Sequence, residues 1–115
     1  MRNKYIKIAI DSPAGAGAGT QAKLIAKKYN LFYLDTGKIY RVLAYYKLKN
    51  PNKFNISYVK KKTKNIKIKE LENKKLLSNL IGLEASRISK NKQIRKFVDK
   101  IQIKLANNPP GNFKG

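Results

Sequence analysis

The first fifty residues alternate short apolar runs with amphipathic helices, and this order restricts the fold more than any other feature of the sequence. Residues 5–10 form a β-branched run typical of a strand, residues 11–19 form a loop rich in glycine and alanine, and a helix is predicted from Thr20. A second apolar run, residues 31–34, precedes a second helix. The apolar positions of that helix fall on one stripe: Ile39, Val42, Leu43 and Tyr46. Strands that alternate with helices in this way predict an α/β fold with a parallel sheet.

The second half of the chain is mainly helical in its pattern. Residues 66–69 alternate with period two and predict a short strand, and residues 76–89 predict a helix. Residues 92–106 predict an amphipathic helix, which the Asn-Pro-Pro-Gly stretch ends. Its apolar face comprises Ile94, Phe97, Val98, Ile101 and Leu105. Because only two convincing parallel strands are present, we expect residues 1–115 to be one incomplete domain that stops in mid-fold.

Composition excludes several classes of protein. The chain has no cysteine and no histidine, so a disulfide framework, a thiolate nucleophile, a Ser-His-Asp triad and a His-ligated metal are all excluded. No apolar run reaches the ~18 residues that a membrane span needs, and the N-terminus does not resemble a secretory signal. We therefore expect a cytoplasmic protein that does not bind membranes.

The charge balance leaves a second function open. Lys and Arg total 27 against 6 Asp and Glu, a net charge of +21, which is typical of proteins that bind nucleic acid. The lysines are, however, spread along the chain and accompany many Asn and Ile, a bias that A- and T-rich codons explain equally well. Few of the cations are arginine, the residue best suited to bidentate contacts with phosphates and bases. A basic nucleic-acid-binding module is therefore the less favoured interpretation.

The loop between the first predicted strand and helix is a candidate phosphate site. In this position, successive backbone N–H groups and the helix N-terminus can converge on an anion, and glycines let the backbone approach it closely. The Thr20 hydroxyl could contact a phosphate or its Mg²⁺. The candidate loop comprises Ser12, Pro13, Ala14, Gly15, Ala16, Gly17, Ala18, Gly19 and Thr20.

This loop departs from the usual pattern, G-x-x-x-x-G-K followed by Ser or Thr. Ser12 stands at the first glycine and Ala18 stands at the lysine, so the point charge that stabilises a transferred phosphoryl group is missing. Lys23 and Lys38 are candidates to supply it because they are near in sequence. A plain flexible turn between strand and helix remains the alternative.

A second group of polar residues lies where the second predicted strand meets its helix. Thr36 offers a hydroxyl, Gly37 allows a tight turn, and Arg41 provides a forked cation one helical turn later. In a parallel sheet this group and the glycine-rich loop would share one edge. Taken alone, the segment is better explained as an N-cap followed by a helix with a solvated arginine.

Together, these two motifs resemble those of the bacterial cytidylate kinases, within the nucleoside monophosphate kinase family. The loop is similar to the family's I-x-I-D-G-P-x-x-x-G-K-G-T, and residues 34–41 are similar to L-D-[ST]-G-x-x-Y-R. Glu84-Ala85-Ser86 and Ile94-Arg95 resemble the family's A-A-S and V-R pair, and Pro110-Gly111 resembles the P-G before its next strand. The resemblance implies a P-loop NTPase-like parallel sheet with flanking helices, and a short substrate-binding insert at about residues 50–85.

The resemblance also implies an activity, the transfer of the γ-phosphoryl group of ATP to CMP or dCMP with Mg²⁺. Residues 11–20 would hold the ATP phosphates and Thr20 the Mg²⁺, while Arg41 would clamp the acceptor phosphate. Thr36, Ser86 and Arg95 would face the cytosine, and Tyr40 would shape the pocket. UMP stays open as an acceptor, and the full-length protein is expected to be a monomer.

Departures from the family bear on activity. Ala18 stands at the loop lysine, and the G-R-D motif, the arginine-bearing lid and the adenine-contacting loop are expected beyond Gly115. We therefore expect the 115-residue chain to be inactive by itself and, with an open strand edge, prone to aggregate. A degenerate relative that binds nucleotide without transferring phosphate is the alternative that Ala18 suggests.

Overall fold

The computed structural model describes residues 5–10 and 18–115. In this part of the chain there are six α-helices, with the bounds α1 Ala18–Tyr29, α2 Thr36–Lys49, α3 Ile56–Lys64, α4 Ile68–Leu71, α5 Asn79–Ile88 and α6 Lys92–Asn107. Two 3₁₀ turns, Pro51–Lys53 and Lys74–Leu77, connect helices in the middle of the chain. Two compact units are formed, one from Met1–Leu34 with Gln102–Gly115 and the other from Asp35–Ile101.

The prediction of a parallel sheet is wrong, because the described residues contain helices and no strand. Residues 6–10 and 31–34 have no regular secondary structure, although a few backbone bonds join them or Asn30 to the C-terminal residues, including Lys114 N to Asn30 O at 2.9 Å. Ile6 N donates to Lys114 O at 3.0 Å, and Phe32 N donates to Gly115 O at 2.7 Å. A strand needs a repeating ladder with a neighbour, and single bonds do not make one. The residue types of these segments indicate a local preference for a strand. A strand forms only where a second segment pairs with it through repeated backbone hydrogen bonds.

The first unit has a small apolar core around the end of α1. Ala26 and Leu31 are buried, and Leu31 N donates to Ala26 O at 2.7 Å where the helix ends. Asn30 makes this turn with a φ of 54°, a left-handed conformation that asparagine tolerates better than most residues. The rings of Phe32 and Phe113 lie 5.8 Å apart. These contacts hold the C-terminal residues beside the end of α1.

The second unit is built on the packing of α2 against α5. The apolar stripe predicted for α2 is confirmed, because Ile39, Val42 and Leu43 are all buried. The largest of the fully buried side chains are Ile39, Val42, Leu43, Val59, Leu76 and Val98. The amphipathic helix predicted at residues 92–106 is likewise present as α6, with Ile94 and Val98 buried.

Side-chain caps set the starts of four helices. The Asp35 carboxylate accepts a hydrogen bond from Gly37 N at 2.9 Å, and Asn55 accepts one from Tyr58 N at 2.8 Å. Ser78 Oγ accepts from Ile81 N at 3.2 Å, and Asn91 caps α6 in the same way. Such caps satisfy N–H groups that have no partner within the helix. The helix cap expected at the start of α2 is therefore present, and Asp35 provides it.

The Glu70 carboxylate determines the conformation of residues 67–71, which overlap the strand predicted at residues 66–69. The Glu70 side chain accepts a hydrogen bond from Lys67 N at 3.2 Å, and Glu70 N donates to Lys67 O at 2.9 Å. This reciprocal cap closes the helical turn α4. Glu70 also accepts from the Tyr46 hydroxyl at 2.9 Å and pairs with Lys62 at 2.7 Å. The cap between Glu70 and Lys67 and the ion pair between Glu70 and Lys62 therefore favour a helical turn, although the alternating pattern of residues 66–69 is typical of a strand.

No helix among residues 5–10 and 18–115 is long and apolar enough to cross a membrane.

Candidate functional site

Only the end of the candidate phosphate loop falls within the described residues. Ser12, Pro13, Ala14, Gly15, Ala16 and Gly17 lie outside them. Ala18, Gly19 and Thr20 form the first turn of α1, and Thr20 is exposed. A helix N-terminus carries N–H groups that favour an anion, so this turn has the polarity that a phosphate requires.

The two lysines proposed as substitutes for the loop lysine differ in position. Lys23 lies on α1 one turn after Thr20, and its ammonium is 5.8 Å from the centre of the Tyr33 ring. Lys38 lies in the first turn of α2, where it is half-buried and its backbone N donates to Asp35 O at 3.0 Å. Lys23 belongs to the first compact unit and Lys38 to the second.

Arg41 bridges α2 to the segment that leads into α5. Its Nη1 donates to Leu76 O at 2.6 Å, and Ser78 O lies 3.5 Å from the same nitrogen. The absence of a side chain at Gly82 leaves room for this guanidinium, since a Cβ there would be 3.0 Å from Arg41 Nη2. Arg41 is therefore a packed, half-buried cation, and the alternative of a solvated arginine after the helix cap is wrong.

Tyr40 and Arg95, both predicted to line the cytosine pocket, meet in the structure. The Arg95 guanidinium lies close enough to the Tyr40 hydroxyl to act on its pKa, and Asp99 follows Arg95 by one turn on α6. The pKa of the Tyr40 hydroxyl is raised, first by burial and then by the Asp99 charge, while Arg95 opposes the shift. The hydroxyl is therefore a neutral group that can both donate and accept a hydrogen bond near neutral pH.

The remaining predicted residues lie on the helices that carry Arg41 and its neighbours. Thr36 is the first residue of α2 and is half-buried, and Ser86 is exposed on α5. Ser86 follows Gly82 by four residues, so both lie on the same face of α5. That face is the one against which the Arg41 guanidinium packs.

A buried carboxylate on α5 was not predicted. Glu84 is 6% exposed and pairs with Lys47 on α2 at 2.5 Å, with Arg87 Nη1 3.4 Å from its other oxygen. The Lys47 hydrogen bond lowers the pKa of the Glu84 carboxyl, against the opposing effect of burial. The sequence holds a signal for it, because Ile81, Glu84, Ala85 and Ile88 follow the spacing of one buried helix face.

The Glu84 pair predicts a specific dependence of stability on pH. In the folded state the pKa of the Glu84 carboxyl lies below its ordinary value of about 4.5. The pair therefore contributes to the free energy of unfolding above that pH, and the contribution is lost as the pH falls through the folded-state pKa. We expect Glu84→Gln to lower the free energy of unfolding at pH 7 by about 1–2 kcal/mol, since Lys47 loses its charged partner but can regain water. We also expect a flatter decline of stability in acid than in the unmodified chain.

Urea unfolding between pH 7 and pH 3 measures both effects. Glu72→Gln, which removes an exposed carboxylate, is the matched control and should leave both the stability and its pH profile nearly unchanged. Equal profiles for Glu84→Gln and Glu72→Gln would contradict the assignment of a stabilising pair.

Acidic residues in the described part of the chain do not cluster as metal ligands. There is no group of three or more Asp and Glu side chains among these residues that could hold a metal ion. A hydroxyl oxygen such as that of Thr20 is the type of hard donor that Mg²⁺ accepts beside phosphate oxygens.

Comparison with known proteins identifies relatives along nearly the whole chain. Residues 8–113 match the family model described as cytidylate kinase. The chain is 36% identical over 114 residues to a cytidylate kinase of Fusobacterium nucleatum subsp. nucleatum, and 37% identical over 112 residues to one of Thermosipho melanesiensis. It is also 37% identical over 118 residues to a bifunctional pantoate ligase/cytidylate kinase of Prochlorococcus marinus.

These matches cover unequal shares of the proteins compared. The Fusobacterium alignment covers 90% of this chain and 52% of the relative, and the Thermosipho alignment covers 89% and 51%. For the Prochlorococcus protein the shares are 85% and 22%. The chain thus spans about half the length of the curated cytidylate kinases it matches, and no solved structure gives a significant match. On the family match and these identities, the chain belongs to the cytidylate kinase family.

Proposed function

We propose that this chain provides the acceptor-nucleotide site of a cytidylate kinase that transfers the γ-phosphoryl group of ATP to CMP or dCMP. The observation that carries the proposal is the proximity of Tyr40 and Arg95, which are distant in sequence but interact electrostatically in the structure. The family resemblance implies that Arg95 faces the cytosine and that Tyr40 shapes its pocket. Arg41 follows Tyr40 on α2 and offers a forked cation suited to a phosphate. Its guanidinium packs on Leu76 O and Gly82. Residues 50–85 would form the monophosphate-binding insert.

In this proposal the protein's own contribution is alignment and charge. Arg41 holds the acceptor phosphate, while Tyr40, Arg95, Thr36 and Ser86 orient the base. Phosphoryl transfer needs little covalent chemistry from the protein, since positioning and cations that stabilise the equatorial oxygens supply most of the acceleration. Mg²⁺, when bound with ATP, would supply further positive charge beside the transferred group.

The ATP side of the proposal rests on the sequence of the loop at residues 11–20. Its backbone N–H groups would hold the phosphates, with Thr20 on the Mg²⁺. Ala18 supplies no ammonium, so Lys23 or Lys38 is proposed to supply the charge. We further propose that the enzyme acts as a monomer in the cytoplasm.

Ala18 also favours a second candidate function, a nucleotide-binding protein that does not transfer phosphate. Such a protein would bind ATP or CMP tightly without turnover, because the loop could still cradle an anion through its backbone. The two candidates differ in one measurable outcome, the formation of CDP.

A turnover assay with ATP, Mg²⁺ and CMP tests the proposal, applied to the 115-residue chain and to any longer protein that contains it. Formation of CDP, greatly reduced by Lys23→Ala or Lys38→Ala but not by Lys27→Ala, supports the kinase with a substituted cation. Activity that appears only in Ala18→Lys supports the nucleotide-binding protein. If none of these proteins forms CDP and none binds CMP, both candidate functions are wrong.

A further inference from the structure

A basic, aromatic cleft lies at the end of α2 that is remote from Thr36. It occupies about 410 Å³ between the last turn of α2, the 3₁₀ turn Pro51–Lys53 and the first turn of α3. The side chains that line it, here called the basic cleft, are Tyr46, Lys49, Asn50, Lys53 and Tyr58. This volume is within the range of clefts that hold small organic ligands.

Part of the basic cleft falls in residues 50–85, the proposed monophosphate-binding insert, but none of its lining residues is among those proposed to contact CMP. Thr36 and Lys49 are the two ends of α2, and a helix rises 1.5 Å per residue, so they lie roughly 20 Å apart along its axis. Arg41 packs against the segment before α5, whereas the cleft is bordered by α3. A ligand in the cleft therefore does not need the acceptor residues.

The charge of the basic cleft favours an anion. Lys49 and Lys53 are both exposed, and no carboxylate in the described residues forms a salt bridge with either. Glu70 approaches the cleft wall through the Tyr46 hydroxyl, but its charge is matched by Lys62 at 2.7 Å. The uncompensated charges that line the cleft are therefore cationic.

Two tyrosines give the basic cleft flat apolar walls. Tyr46 is half-buried, with its hydroxyl bonded to Glu70 and the Lys62 ammonium 4.2 Å from its ring centre. Tyr58 is half-buried and packs against Phe54 with ring centres 5.9 Å apart. Rings held in this way offer a surface on which an unpaired base can stack, as in proteins that bind single strands.

Lys61 extends the basic surface beyond the cleft, because it follows Tyr58 by three residues on α3 and so lies on the same side of the helix. Val59 and Thr63 form the buried side of that helix, while Lys60, Lys61 and Lys64 are exposed. A mononucleotide would use only the cations at the cleft itself. A strand whose base enters the cleft would carry a neighbouring phosphate over Lys61.

From these contacts we propose that the basic cleft, together with Lys61 of α3, binds single-stranded nucleic acid. The tyrosines stack on a base, and the lysines contact the phosphate backbone. Residues 49–75 contain no arginine, so the bidentate contacts that discriminate bases are absent and the binding is independent of sequence. This inference does not depend on the proposed kinase activity.

Fluorescence anisotropy with a labelled oligonucleotide of about 12 residues tests the proposal, because such a length fits single-strand sites. Titrations from about 50 to 200 mM salt give both affinity and salt slope. We expect Lys49→Gln/Lys53→Gln to weaken binding about tenfold and to reduce the slope by about 1.4, the value for two phosphates. Tyr58→Ala should weaken binding about tenfold with the slope unchanged.

Matched variants separate the cleft from the charge of the whole chain. Lys90→Gln/Lys104→Gln changes the net charge equally at exposed positions elsewhere, and Tyr29→Ala removes an exposed tyrosine of α1. Equal weakening by these controls would overturn the proposal. Far-UV circular dichroism of each variant verifies that its helices are retained.

Two competitors decide the form of the ligand. A CMP excess that leaves the oligonucleotide bound supports a strand site separate from the acceptor site. Displacement by CMP at the same nucleotide concentration would mean that the cleft takes free nucleotides, and the proposal would be wrong. A duplex of the same length that binds equally well, without dependence on Tyr58, would overturn it too.

Discussion

Leu43→Ala is expected to lower the free energy of unfolding by about 2–5 kcal/mol. Leu43 is fully buried on α2, the helix that packs against α5. Removing most of its side chain therefore leaves a cavity in the core. Leucine and alanine have similar helix propensities, so the loss comes from packing and from the cavity left behind. Against a typical total of about 5–15 kcal/mol, this one change removes a large fraction of stability.

Leu48→Ala provides the control for this prediction. The same substitution on the same helix, at a side chain 39% exposed, should cost less than about 1 kcal/mol. Urea unfolding followed by circular dichroism measures both variants. Equal losses at the two positions would contradict the description of α2 as a helix with one buried stripe, and Leu43 would then not belong to the core.

Arg41→Met is expected to have two separate effects, because the guanidinium donates to Leu76 O and is also proposed to bind the phosphate of CMP. CMP binding should weaken about 100-fold, equivalent to about 2.7 kcal/mol, since a charge-assisted contact with the phosphate is lost. The free energy of unfolding should fall by about 1–2 kcal/mol, because Leu76 O loses its donor.

Calorimetric titration with CMP and urea unfolding separate these two effects. Arg41→Lys keeps the charge without the fork, and we expect it to recover part of the affinity. Arg87→Met, which removes a guanidinium from a side chain 75% exposed, should leave CMP binding unchanged. If Arg41→Met loses stability yet binds CMP normally, Arg41 serves the Leu76 carbonyl alone and the proposed acceptor site is wrong.

The predicted helices were the most successful part of the sequence analysis. The period of 3.6 residues on α2 and α6 is generated by a single helix, so the sequence of that helix alone reveals which side chains are buried. Ile39 and Val98 therefore matched the structure without knowledge of their neighbours. The predicted strands failed at residues 5–10 and 66–69 because a strand depends on partners that lie elsewhere in the chain.

The candidate site divides in the same way. Tyr40, Arg41 and Arg95 were identified from motifs, which record the residue type and its position along the chain. Their partners were not predicted: Leu76 O for Arg41, Asp99 near Tyr40, and the space left at Gly82. Each of these belongs to a different helix or turn.

The sequence by itself determined the buried faces of α2 and α6 and the family of this protein, because these depend on neighbours within about one helical turn or on the order of residues in a motif. Only the tertiary structure decided that Arg41 holds a backbone carbonyl, that Glu84 is buried beside Lys47, and that Tyr46 and Tyr58 form one cleft. The physical reason is that a charge, a hydrogen bond or a stacking surface acts across a few ångströms of space, whereas the chain separates its partners by tens of residues.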